Sequence, residues 1–71
     1  LDSARYRSFL AAEIGVSVNS VQAVVFGGHG DDMVPVRSAC TVGGAPITNF
    51  VSEARLAEIE ERTRKAGGEV V

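Results

Sequence analysis

A single histidine, His29, is the residue of this 71-residue sequence best suited to move a proton. It lies in the stretch Gly27–Asp32 (GGHGDD), where glycines flank it and two carboxylates follow. An imidazole titrates near neutral pH, so it can accept and return a proton in an acid–base reaction. Working groups are concentrated on loops held by a rigid scaffold, which makes this stretch a candidate site. A glycine-rich turn without a catalytic role is the simpler interpretation of the same residues.

Two residues near the start of the chain could complete such a site. Asp2 and Arg5 are spaced i, i+3, so a helix would place them on one surface, where they can pair. A carboxylate fixes the tautomer of a histidine and raises its basicity. A guanidinium holds an anionic substrate through two parallel hydrogen bonds. The alternative is an exposed ion pair worth about a few tenths of a kcal/mol, and the residues alone do not decide whether this surface faces His29.

Other common chemistries are not supported. A dinucleotide-binding fingerprint around His29 would need a third small residue where Met33 stands, and a helix rather than a proline-containing extended segment. The sequence contains no Gly-Lys-Ser/Thr phosphate loop and no Gly-x-Ser-x-Gly elbow. A metal site made of His29, Asp31 and Asp32 would lack the ligand spacing of known site types, so no metal is predicted.

Composition indicates one small globular unit that does not bind nucleic acid or membrane. Hydrophobic residues make up 45% and charged residues 23% of the chain, and the net charge is −2 without a basic block. Cys40 is the only cysteine, which excludes an intramolecular disulfide and suits a reducing, cytoplasmic setting. The chain begins at Leu1 rather than Met and ends on an apolar pair, so we expect a segment of a longer protein.

Hydrophobic periodicity predicts an α+β fold: a helix, antiparallel strands and a C-terminal helix. The first helix should end at Gly15, Gly43 and Gly44 should form a turn, and Ser52 should cap the last helix. The expected elements are a helix over 1–14, a buried strand over Val21–Phe26, an extended segment over Met33–Val36, a strand over Ser38–Val42 and a helix after Ser52.

Each predicted helix has an apolar face. Tyr6, Leu10 and Ile14 recur at i, i+4, i+8 on the first helix. The last helix carries a semi-apolar seam of Leu56, Ile59, Thr63 and Ala66, and a solvated face with three expected i, i+4 ion pairs, Glu58–Arg62, Glu60–Arg64 and Glu61–Lys65.

Several motifs occur together in a specific order. The chain opens with residues 1–7 (LDSARYR), carries Gly28-His29-Gly30-Asp31 about twenty residues later, continues with Val34-Pro35 and ends with residues 62–71 (RTRKAGGEVV). Over all 71 residues this pattern resembles the catalytic domain of the lactate/malate dehydrogenase family. The resemblance implies that residues 1–71 are a partial catalytic, substrate-binding domain, and that the NAD-binding Rossmann domain is absent from this chain.

The resemblance also implies roles for the candidate residues. His29 matches the catalytic histidine, which accepts a proton when malate is oxidised and donates one when oxaloacetate is reduced. Asp2 matches the carboxylate paired with that histidine, and Arg5 matches the arginine that holds the substrate carboxylate. The cofactor would be NAD, bound mainly by residues outside this chain. The full-length protein would be a homo-dimer or homo-tetramer, and the isolated chain would be inactive.

Three alternatives stay open: a malate dehydrogenase, an L-lactate dehydrogenase and a segment without a catalytic role. The form Gly27-Gly28-His29 with Val34-Pro35 resembles the lactate-dehydrogenase-like malate dehydrogenases of bacteria, because lactate dehydrogenases usually carry Glu where Gly28 stands. An L-lactate dehydrogenase of the same family remains possible. So does a non-catalytic packing or oligomerisation segment in which His29 only caps a turn. The preference for NAD or NADP is not encoded in these residues.

Overall fold

The computed structural model describes residues 2–30 and 33–68, which form two helices with short antiparallel strands between them. This confirms the predicted α+β class. In chain order the elements are α1 (Ser3–Ile14), β1 (Val21–Ala23), β2 (Phe26–Gly27), β3 (Val34–Pro35), β4 (Thr41–Val42), β5 (Ala45–Pro46) and α2 (Glu53–Gly68).

The first helix begins later than predicted. Asp2 lies outside α1 in an extended conformation, and its Oδ1 accepts the backbone N–H groups of Ala4 and Arg5 at 2.9 and 3.3 Å. The expected helix over 1–14 was therefore wrong at its start, because Asp2 is the N-cap. Leu1 lies outside the described residues. Gly15 ends the helix as predicted, with φ of 85°.

The predicted strand Val21–Phe26 is divided into two. β1 pairs with β4, whereas β2 pairs with β3 in a separate two-stranded sheet. The register between β1 and β4 is irregular, and Val25 between the strands is 43% exposed. The prediction of one buried strand was wrong because the apolar run changes partners, which composition does not reveal.

The predicted strand over Ser38–Val42 was too long. Residues Arg37–Ala39 form a 3₁₀ turn, so only Thr41–Val42 of the predicted Ser38–Val42 segment is a strand. β4 lies between β1 and β5 in a three-stranded antiparallel sheet. Gly43 and Gly44 form the expected turn, with φ of 60° and 81°, which a two-residue hairpin of this type requires.

The last helix begins as predicted and packs through the predicted seam. Ser52 Oγ accepts the backbone N–H of Arg55 at 3.2 Å. Leu56, Ile59 and Thr63 are buried. The three i, i+4 ion pairs are not formed: the α2 pairs in the structure are Arg55–Glu58 and Arg64–Glu61, both at i, i+3, and Glu60 pairs outside the helix.

The two helices and the three-stranded sheet share one core. Its members from α1 and the sheet include Tyr6, Leu10, Val21 and Val42, and α2 contributes Leu56 and Ile59. An exposed ion pair, Arg55 Nη2 to Glu13 Oε1 at 2.9 Å, also joins α2 to α1. Over the part of the chain that the structure describes, neither helix combines the length and apolar character needed for a membrane crossing.

Candidate active site

The N-terminal end of α1 presents Asp2 and Arg5 on an open surface. Arg5 Nε lies 3.6 Å from Asp2 Oδ2, which confirms that the i, i+3 spacing brings the two side chains together. Both side chains are about half exposed, at 47% and 48%. Because Oδ1 of Asp2 caps the helix, Oδ2 is the oxygen with free acceptor capacity toward other groups.

The segment that contains Gly28, His29 and Gly30, which we call the histidine loop, follows β2 directly. Gly28 and Gly30 on either side of His29 have φ of 118° and 54°, conformations that an L side chain rarely adopts. The imidazole is exposed, and it makes no hydrogen bond or ion pair with any other residue that the structure describes. The glycines therefore project His29 into solvent at the end of a strand. Asp31 and Asp32 lie outside the described residues.

His29 and Asp2 are not joined by a hydrogen bond in the structure, but the segments that carry them are in contact. The ring of Tyr6, one turn after Asp2 on α1, packs edge-on against the ring of Phe26, three residues before His29, with ring centroids 6.0 Å apart. One helical turn advances about 5.4 Å. The first turn of α1 and the stem of the histidine loop are therefore in contact, while the catalytic pairing itself stays a prediction.

A cleft of about 390 Å³ lies beside the candidate substrate-binding arginine. It is lined by Ala4, Arg5, Ser8 and Phe9 of α1. A second cleft of about 490 Å³, lined by residues between Glu58 and Ala66, lies on α2 and contains none of the predicted site residues. The α1 cleft therefore gives an anionic ligand access to the Arg5 guanidinium.

The described residues do not form a dinucleotide or metal site. The glycines around His29 are followed by β3 as the next described element, rather than by a helix whose N-terminus could hold a pyrophosphate. Residues 2–30 and 33–68 contain no cluster of three or more potential metal ligands. The hypothetical metal site that would use Asp31 and Asp32 falls outside these ranges. The described residues around His29 therefore lack the helix N-terminus that would hold a dinucleotide pyrophosphate.

A polar cluster close to this site was missed by the sequence analysis. Arg37 donates from Nε and Nη2 to the two carboxylate oxygens of Glu60, at 2.8 and 2.9 Å. The hydroxyl of Tyr6 donates to Glu60 Oε2 at 3.4 Å. Helical spacing suggested a solvated Glu60–Arg64 pair, and no local pattern links residue 37 to residue 60. We call Tyr6, Arg37 and Glu60 the buried polar cluster.

Comparison with known proteins identifies the family. Residues 1–71 match the family described as lactate/malate dehydrogenase, alpha/beta C-terminal domain. The malate dehydrogenase of Rhodopirellula baltica is 59% identical over the whole chain, which covers 22% of that protein. The malate dehydrogenase of Roseiflexus castenholzii is 58% identical over the whole chain, which covers 23% of it. The chain belongs to the lactate/malate dehydrogenase family and spans under a quarter of these relatives.

Solved structures of related enzymes share the fold. A malate dehydrogenase from Salinibacter ruber superimposes with a TM-score of 0.79 at 54% identity, over 97% of this chain and 23% of that one. A malate dehydrogenase from Plasmodium falciparum in complex with NADH gives 0.76 at 38% identity, over 96% and 24%. A lactate dehydrogenase from Cryptosporidium parvum gives 0.74 at 41% identity, again over 96% and 24%.

Proposed function

We propose that the protein to which this chain contributes is an NAD-dependent malate dehydrogenase, and that residues 1–71 are part of its substrate-binding catalytic domain. The reaction oxidises (S)-malate reversibly to oxaloacetate. The alcohol carbon loses a hydride, which NAD takes up at a site outside this chain, and the alcohol oxygen loses a proton. The observation that carries the proposal is the match of the entire chain to malate dehydrogenases at 54–59% identity.

In this proposal His29 is the proton acceptor, Asp2 is its carboxylate partner and Arg5 binds the substrate carboxylate. Oδ2 of Asp2 is available to hold one ring nitrogen, and the contact between Tyr6 and Phe26 keeps the two segments within reach. In the proposal, His29 pairs with Asp2 after a movement of the exposed imidazole. Hydrogen bonds of this kind are often open in the absence of substrate and close in the reactive complex.

Orientation of the substrate follows from the geometry of Arg5. A planar guanidinium binds a carboxylate through two parallel hydrogen bonds, which fixes the direction of the remaining carbon chain. The proposal requires that a carboxylate held by Arg5 leaves the alcohol oxygen within reach of the His29 imidazole. Arg5 therefore contributes binding and His29 contributes proton transfer.

The test uses the full-length enzyme and two substitutions. His29→Asn removes the acid–base group and is expected to lower kcat roughly hundredfold to ten-thousandfold while the affinity for NADH persists. Arg5→Lys keeps the charge but not the planar fork, so the KM for malate should rise strongly. Malate oxidation followed by NADH absorbance, together with an NADH titration, measures both effects.

Arg64→Lys is the matched control, because Arg64 forms an exposed ion pair on α2 away from these residues. It should leave kcat and KM unchanged. Loss of NADH binding together with activity in His29→Asn would indicate a structural role for the histidine. An unaltered KM in Arg5→Lys would exclude the arginine as the substrate clamp.

L-lactate dehydrogenase is the second candidate function. The similarity to the lactate dehydrogenase of Cryptosporidium parvum, with a TM-score of 0.74, supports this candidate. Malate carries one carboxylate more than lactate, and no residue of this chain is proposed to bind that additional group. Rates with malate and with lactate, measured on the same full-length preparation, decide between them.

A non-catalytic packing segment is the remaining candidate, and one observation favours it: His29 is exposed and is not hydrogen-bonded to Asp2. The His29→Asn experiment addresses it, since a purely structural loop would tolerate that substitution with normal turnover.

The proposal also includes a cytoplasmic location and a homo-dimer or homo-tetramer for the full-length protein.

A further inference from the structure

The buried polar cluster is not used by the chemistry proposed above, although it lies close to it. Tyr6 is fully buried, and the side chains of Glu60 and Arg37 are only 13% and 27% exposed. The fork of Arg37 engages both oxygens of Glu60, which is the strongest geometry available to such a pair. Glu53 adds a weaker contact to Arg37 at 3.6 Å from an exposed position.

The cluster joins three segments that are distant in sequence. Tyr6 follows Arg5 directly on α1, Arg37 comes two residues after β3, and Glu60 lies in the middle of α2. β2 leads into the histidine loop and β3 leads out of it, and we call these strands its incoming and outgoing stems. β3 pairs with β2, so the ion pair of Arg37 holds the outgoing stem. The Tyr6 ring contacts Phe26, which belongs to the incoming stem. Both stems and the start of α1 are therefore tied to one point on α2.

Backbone contacts make this attachment rigid. Val36, next to Arg37, donates its N–H to the carbonyl of Val25 at 2.8 Å, which continues the β2–β3 pairing. Cys40 Sγ lies 3.8 Å from the same carbonyl oxygen. A displacement of the Arg37 side chain would consequently be transmitted to the residues on both sides of the histidine loop.

We infer that Arg37 and Glu60 are positioning residues, which fix the two stems of the His29 loop against the helix that carries Asp2 and Arg5. This inference rests on the proposed roles of those three residues. A largely buried ion pair adds little stability compared with well-packed apolar residues, so stability alone is a weak reason for placing one here. What a two-point guanidinium–carboxylate contact provides is a defined distance and orientation between the elements that it connects.

Conservative variants of the full-length enzyme test the inference. Arg37→Lys keeps the charge and loses the fork, and Glu60→Gln keeps the shape and loses the ionic contact. Small displacements of reacting groups are costly, so kcat should fall about tenfold to a hundredfold in each. The pH profile of kcat/KM should shift, because the surroundings of His29 change. The affinity for NADH should be unchanged, since in the proposal the cofactor is bound mainly by residues outside this chain.

Matched controls exist on the same helix. Arg64 and Glu61 form an exposed ion pair at 2.8 Å, so Arg64→Lys and Glu61→Gln make the same chemical changes without touching the cluster. A double variant, Arg37→Met with Glu60→Leu, separates stability from positioning. The single variants Arg37→Met and Glu60→Leu each leave one charge unpaired. Replacing both charges should recover part of the thermal midpoint that they lose, although the Tyr6 hydroxyl then lacks its acceptor, but kcat should stay low.

The inference is overturned if Arg37→Lys and Glu60→Gln match their controls in kcat and in pH profile, or if the double variant recovers kcat along with its thermal midpoint. Failure of the proposed function is distinguishable, because it is seen without any change to Arg37 or Glu60. An enzyme that oxidises lactate but not malate refutes the substrate assignment, and the same variants are then compared with lactate. An enzyme whose His29→Asn variant keeps normal turnover refutes the catalytic role of His29 and this inference with it.

Discussion

Tyr6 combines a fully buried aromatic ring with a hydroxyl that reaches a carboxylate. Its hydroxyl donates to Glu60 Oε2 at 3.4 Å, and its ring contacts Phe26. Burial raises the pKa of Tyr6, and the negative charge of Glu60 raises that pKa further. The phenol is consequently held in its neutral form, which is the form that can donate to Glu60.

This arrangement predicts an alkaline loss of stability. A group whose pKa is raised in the folded state contributes stability that is fully present below its unfolded value, about pH 10 for tyrosine, and is lost as the pH rises through the folded value. The free energy of unfolding of this chain should therefore decline above about pH 10. Tyr6 is the only tyrosine and the chain has no tryptophan, so phenolate absorbance in the folded chain reports directly on it.

Tyr6→Phe is the control for the alkaline titration. It removes the ionisable group and retains the ring against Phe26, so the loss of stability above about pH 10 should become shallower. A phenolate transition at the same pH in the folded and the denatured chain would contradict the burial argument. The measurement needs only absorbance and denaturant titrations at a series of pH values.

At the scale of elements, both helices are delimited by local chemistry. Asp2 and Ser52 cap the first turns with side-chain oxygens, and Gly15 ends α1 in a left-handed conformation. The backbone N–H of Gly15 donates to the carbonyl of Ala11 at 2.8 Å, and that of Val16 donates to the same oxygen at 3.0 Å. These short-range interactions explain why helix positions followed from the sequence.

Gly15→Ala tests the glycine at the end of α1. A Cβ there would meet no atom within 4 Å, so the cost arises from the backbone conformation with φ of 85° alone. We expect a loss of about 1–2 kcal/mol in the free energy of unfolding. Gly15→Asn should lose less, because Asn adopts this conformation more readily than Ala.

Denaturant unfolding of the two Gly15 variants beside the unmodified protein provides the measurement. Equal stability of the alanine variant and the original would show that the helix end relaxes to another conformation. A loss in the asparagine variant as large as that in the alanine variant would assign the cost to side-chain volume rather than to φ.

The strands were less predictable than the helices. Residues Val21–Phe26 have the composition of one strand, but β1 and β2 belong to different sheets. A strand is stabilised by the partner with which it pairs, and the partners of β1 and β2 are β4 and β3, up to about twenty residues away along the chain. The same is true of Glu60, whose partner was expected within its helix and lies in another segment, at Arg37.

At the scale of the whole molecule, the three proposed site residues are open to solvent. Asp2, Arg5 and His29 lie on exposed surface. The chain corresponds to 22–23% of the relatives that it matches. In open water the Coulomb interactions of such groups are weak, whereas in a closed, desolvated site they are several times stronger.

The isolated 71-residue chain is therefore expected to be inactive. Malate and NAD supplied together should give no NADH, and an NADH titration should detect no binding, whereas the full-length enzyme should show both. Circular dichroism of the same sample is the control, because helix content shows that the chain is folded under the assay conditions. Turnover by the folded chain alone would mean that its residues hold the cofactor after all.

The sequence by itself determined the α+β class, the apolar faces of both helices, the end of α1 at Gly15, the Ser52 cap of α2 and the glycine turn, because these depend on interactions within a few residues. The motifs around His29, Asp2 and Arg5 also determined the family. Only the tertiary structure decided how the apolar run divides between two sheets and that Glu60 pairs with Arg37 beneath Tyr6. Such pairings join residues far apart in sequence, and they depend on which surfaces pack together once the core has formed.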